Sequence, residues 1–112
     1  MIEITKTLGK YDKKEKLNAL TGASNLKDSN ILDKKVKVTA VIMTKDVDEE
    51  SGEIKKIATA KLNGEWYGTN SKQVVQYFDM FCDAYEEKEV EAGIDVTITS
   101  AKSGKGTYFL VS

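Results

Sequence analysis

The chain has 112 residues, 40% of them hydrophobic, and a net charge of −1, which fits one domain around a single core. Its 17 basic residues are all lysines, and it has no histidine, no proline and one cysteine. Those absences remove the usual general base near neutral pH, the histidine-dependent catalytic triads, the common zinc ligand sets and the guanidinium fork that reads guanine or phosphate.

No enzyme, metal or cofactor is therefore expected, and any anion would be met by lysine ammonium groups and backbone donors. The small net charge hides a division: residues 1–45 net +5, residues 46–95 net −8 and residues 96–112 net +2. If the two basic ends meet in space, one face is positive although the whole is slightly acidic. No apolar run approaches the roughly 18 residues that span a bilayer, and the N-terminus has no signal-like apolar stretch. With one cysteine besides, a cytoplasmic protein with no membrane partner is expected.

In chain order, IEITKTL at residues 2–8 alternates weakly and suits a short strand, followed by the charged KYDKKEK. LNALTGASNLKDSN is rich in turn formers and reads as loop with room for one helical turn. KVKVTAVIMTKDV, residues 35–47, is the clearest strand, β-branched and of period two. Val36, Val38, Ala40 and Ile42 are expected inward. Lys37, Thr39, Val41, Met43 and Lys45 form the other, mixed face. DVDEESGE is a polar turn, IKKIATAKL a second strand, Asn63-Gly64 a strong hairpin signal, and EWYG a third strand.

A helix is expected from about 71 to 88, with Asn70 and Gln73 resembling a capping box and Val74, Phe78, Phe81 and Tyr85 forming one apolar stripe beside Cys82. Its other side carries Asp79, Asp83, Glu86 and Glu87. Gly93 breaks the pattern, and IDVTITS and TYFLVS are two last strands around AKSGKG. That order, three strands, a helix and two strands after an N-terminal extension, is the order of an OB-fold, a five-stranded Greek-key barrel. The expected fold is mainly β, α+β by content: a single domain over 1–112, with residues 1–34 as extension and 35–112 as barrel.

The fragment SGKGT resembles a phosphate-binding loop, but that loop needs G-x-x-x-x-G-K-[ST] between a strand and a helix. Position 99 is threonine, the order here is G-K-G-T, and a strand follows. A hairpin turn is the better reading, with Lys102, Lys105 and Tyr108 available to grip a ligand. Trp66 and Tyr67 are neighbours on a strand and face opposite ways; the residues alone do not decide which is outside. Phe109 is expected inward and Tyr108 outward. The carboxylates of DEESGE and EEKEVE lack the spacing of a calcium loop and read as solvated surface. Cys82 reads as packing.

KLNALTGASNLKD, the strand ending in VKVTAVIM, GEWYGTNSKQVVQYF and the final KSGKGTYFL together resemble the small single-stranded DNA-binding proteins of phages and prophages of low-GC Gram-positive bacteria, over roughly residues 16–111. The resemblance implies an OB-fold that coats single strands with little sequence preference during phage or host DNA replication. By position it places Tyr67, Ser71 and Lys72 on the family's G-x-x-Y-x-x-x-S-K element, and Lys105 and Tyr108 on its closing hairpin. The expected partner is single-stranded DNA, with replication proteins as further candidates. Lys37, Lys45, Lys61, Lys72, Lys102 and Lys105 would follow phosphates, and Trp66 or Tyr67, with Tyr108, would stack on bases. The alternative is a phage-encoded protein-binding module, an inhibitor or assembly factor that uses the acidic helix face.

Overall fold

A computed structural model describes residues 2–26, 29–104 and 106–112, without the side chains at 102, 103, 106 and 107. Among the described residues the order is β1 (Ile2–Gly9), α1 (Lys13–Gly22), β2 (Ser24–Asn25), β3 (Lys35–Val47), β4 (Ile54–Leu62), β5 (Glu65–Thr69), α2 (Lys72–Ala84), α3 (Glu87–Ala92), β6 (Ile94–Ser103) and β7 (Gly106–Val111). The strands form one curled mixed sheet in the order β2-β5-β4-β3-β6-β7, with β1 also paired to β3. The result is a half-barrel, mainly β, with the helices packed around it.

β3 organises the sheet because it is long enough to serve three partners. β4 runs antiparallel along one edge from Val38 to Val47. The other edge is shared: β6 pairs with Lys35–Val38 and β1 with Ala40–Asp46. The register against β4 shifts between Val38 and Ala40, and an extra residue in a ladder reverses which side chains face inward beyond it. The core therefore takes Val36 and Val38, then Val41 and Met43. The expected inward set of Val36, Val38, Ala40 and Ile42 is correct only as far as the shift. Ala40 and Ile42 are also buried, but on the opposite face.

That second burial comes from the N-terminal segment. Directly opposed residues in a ladder share a face, so Ala40, Lys61 and Trp66 lie together, as do Ile42, Thr59 and Gly68. α1 packs over this face: Ala19 is buried, and a Cβ at Gly68 would sit 3.8 Å from the Cβ of Ala23. Asp12 caps α1 by accepting a hydrogen bond from the Glu15 N–H at 2.7 Å. The helix lies where the sequence suggests loop.

The concave face is closed by α2, which buries Val74, Val75, Phe78 and Phe81. Tyr77, Phe78, Phe81 and Tyr85 form a chain of ring contacts with centroids 4.6–6.1 Å apart. The expected single helix is in fact two. At Tyr85 the backbone becomes extended, and a capping box between Glu86 and Glu89 starts α3; reciprocal satisfaction of end groups makes a new helix start cheap there. The N-cap of α2 is Ser71, without a side-chain cap bond, in place of the expected Asn70–Gln73 box. Asn63 and Gly64 both have positive φ, as a tight β4–β5 hairpin requires.

Candidate nucleic-acid groove

A groove of about 890 Å³ opens between the β3–β4 hairpin, β1 and the first two turns of α2. Five lysines line it, Lys6, Lys45, Lys55, Lys56 and Lys72, against one acid, Asp79. Met43, Ile54 and Val75 supply apolar surface, and Thr5, Thr44, Asn70 and Gln76 supply neutral polar groups. Ile54 is 55% exposed, an uncovered apolar side chain beside ammonium groups.

The ladder explains the concentration of charge. Lys45 lies two residues beyond Met43, in phase with the core, and directly opposite Lys56. Like charges placed opposite each other are unfavourable. Glu3, opposite Lys45 on the β1 side, offsets part of this with an ion pair at 3.4 Å. Lys6 is held by Asp83 at 2.8 Å and Asp79 at 3.2 Å, and those hydrogen bonds, Asp83 first, push its ammonium pKa upward. Among the described residues, Lys56 and Lys72 have no ion-pair partner. Lys72 opens α2, whose N-terminal end adds its own partial positive charge.

The hairpin tip beside the groove is acidic. Asp46, Asp48, Glu49 and Glu53 line a smaller recess with Lys55. Backbone N–H groups of Glu50 and Ser51 hold the Asp48 carboxyl below the usual carboxylate range. A polyanion in the groove is therefore repelled at the tip and drawn toward Lys56 and Lys72.

The residues singled out from the sequence separate into five places. Lys45 and Lys72 line the groove. Lys37 does not join them: the shift in β3 places it on the opposite face from Lys45, and its stem packs against Gly93, where a Cβ would come within 2.3 Å of Lys37 Cδ. The two lysines expected to share one binding face are thus separated. Lys61 and Trp66 lie side by side on the outer face under α1, and Glu15 Oε2 accepts from Lys61 Nζ and, at 3.2 Å, from Trp66 Nε1.

Tyr67 is in the core, 8% exposed, with its hydroxyl donating to Glu65 Oε2 at 3.0 Å. Burial pushes its phenol pKa up. As placed, its ring offers a base no open face, and of the pair Trp66 is the outer residue. On the last hairpin, Phe109 is buried and Tyr108 half-buried. Lys105 and the Lys102 side chain lie outside the described residues. The groove lysines that sequence reasoning missed are Lys6, Lys55 and Lys56. IKKIATAKL reads as a strand, but only the pairing of Lys56 with Lys45 shows which face Lys56 takes.

Other chemistry finds little support. Burial pushes the Cys82 thiol up to about 11, so at neutral pH it is almost wholly protonated and a poor nucleophile. No group of three or more metal-ligating side chains occurs among the described residues, and no described helix is long and apolar enough to cross a membrane. Compared with protein-family models, curated proteins and solved structures, the chain has no match.

Proposed function

We propose that the protein is a non-enzymatic single-stranded DNA-binding protein built on an OB-like half-barrel. The observation that carries this reading is the groove in which five lysines meet one acid beside exposed apolar surface. Lysines neutralise phosphates, and the apolar floor suits unstacked bases, which a duplex keeps inside. The path β5-β4-β3-β6-β7, with α2 between β5 and β6, supports the OB-like reading: it corresponds to such a barrel left open between its third and last strands. The resemblance of the sequence to phage single-stranded DNA-binding proteins points the same way.

Among the described residues, no aromatic side chain lines the groove. Lys61 and Trp66 on the outer face of β4–β5 supply the missing pair, an ammonium for a phosphate and a ring for a base. The acidic helix face is less open to a protein partner than its sequence suggests, because Asp79 and Asp83 hold Lys6 and Glu86 is used in the capping box. The test is anisotropy of a labelled oligo-dT against a duplex of equal length at low salt. Binding should favour the single strand and fall at least tenfold in the Lys56→Glu/Lys72→Glu variant, each lost phosphate contact releasing about 0.7 counterion fewer. Equal binding by the double variant and the native chain would reject the groove.

A further inference from the structure

Trp66 and Lys61 are adjacent across the β4–β5 ladder, and both are already engaged within the chain. Glu15 Oε2 accepts from Lys61 Nζ and from Trp66 Nε1. The Tyr11 ring meets Trp66 edge-on, with centroids 5.7 Å apart and planes at 88°. A carboxylate thus stands on the ammonium as a phosphate oxygen would, and an aromatic ring, edge-on and not stacked, crowds the indole that a base would use. The surface behind them, Ala40 and Ile42, is apolar and fully covered.

The cover is lightly fastened. Ala19 is the one buried residue of α1, and Leu17 on the same helix is 62% exposed. Among the described residues, β2 ties the chain after α1 to β5 through two residue pairs, and Leu26 then enters the core. Lys13, Lys14 and Lys16 make no ion pair among the described residues, so α1 carries its own attraction for a polyanion.

We propose that α1 and the residues leading into it are a built-in competitor for single-stranded DNA, with Glu15 held on Lys61 and Tyr11 against Trp66 until a strand displaces them. This rests on the reading that the protein binds single strands. The free protein then binds with the groove alone available, and the apparent affinity is reduced by the fraction of molecules in which α1 is closed.

A reversible lock tests it. A Cβ at Gly68 lies 3.8 Å from the Cβ of Ala23, inside the roughly 3.5–4.5 Å range of disulfides. The Ala23→Cys/Gly68→Cys pair, in a Cys82→Ala background, joins the far end of α1 to β5 while β1 already holds the near side. Oligo-dT is titrated with anisotropy and tryptophan emission read together. The oxidised protein should bind at least tenfold more weakly than the reduced one, with no change in tryptophan emission, and reductant should restore both. Independently, Glu15→Gln should tighten binding about threefold to tenfold, clearly more than Glu50→Gln, which removes the same charge at the hairpin tip.

Equal affinity and emission response in the oxidised and reduced forms, or equal gains from the two glutamate variants, would overturn the competitor while leaving single-strand binding intact. Failure of the reduced and native proteins to bind at all would overturn both.

Discussion

Among the described glycines, Gly9 is the one whose added Cβ would meet backbone atoms within 3 Å. It closes β1 at φ +93, and a Cβ there would lie 2.4 Å from the Thr39 carbonyl oxygen and 2.7 Å from Ala40 Cα. Both are backbone atoms of the central strand and cannot turn aside. Gly9→Ala should therefore cost well over the ~1–2 kcal/mol of left-handed strain alone. Gly52→Ala, at φ +73 with nothing within 4 Å, should cost only that strain, and urea denaturation of the two variants would show the difference. Neither glycine announces this in the sequence, where both are simply turn formers. Trp66 and Tyr67 teach the same lesson: alternation says that they part, and only the packing of Ala60 opposite Tyr67 inside the core says which goes in.

Among the elements, α2 and α1 stand at opposite ends of legibility. α2 carries four buried apolar residues at helical spacing, so its existence follows from the pattern. α1 has one buried alanine and no apolar stripe for periodicity to detect. Its signal is local, Asp12 with Glu15 three residues on, the cap bond that the structure contains. Because so little tertiary burial supports the helix, that cap should matter. Asp12→Ala should remove about 1 kcal/mol and raise amide exchange within α1 about fivefold, with α2 unaffected, as measured by hydrogen exchange. An equal rise in both helices would mean that α1 is part of the global folding unit.

Across the whole molecule, charge is arranged differently from its order in the chain. The basic ends and acidic middle suggest a positive face made where the ends meet. In the structure three of the five groove lysines, Lys55, Lys56 and Lys72, come from the acidic middle, whose Asp46, Asp48, Glu49 and Glu53 gather at the hairpin tip while Asp79 lines the groove. Lys6 and Lys45 are already paired with acids and Lys55 lies beside Asp48 among the acids of the hairpin tip, leaving Lys56 and Lys72 to meet phosphates. At roughly 0.7 counterions per phosphate on a single strand, the expected slope of log K against log salt is about −1.4, or about a sevenfold loss of affinity between ~50 and ~200 mM. A titration series in salt measures the slope, and Lys56→Ala should make it shallower by about 0.7. A slope near zero would be incompatible with lysine–phosphate binding.

By itself the sequence determined the pieces set by local chemistry: the long β3, the Asn63–Gly64 hairpin, the apolar stripe of α2, the hairpin in place of a phosphate loop, and the lack of histidine-based catalysis. Each depends on period, backbone preference or the absence of a side chain. The tertiary structure decided what depends on register and on distant partners. A single shift between Val38 and Ala40 separated Lys37 from Lys45, brought Lys45 opposite Lys56 and made the groove. Glu15, fifty-one positions from Trp66, came to cover it. Register is settled by how two strands pack together, so no single strand carries it, and a contact between distant residues leaves no period along the chain.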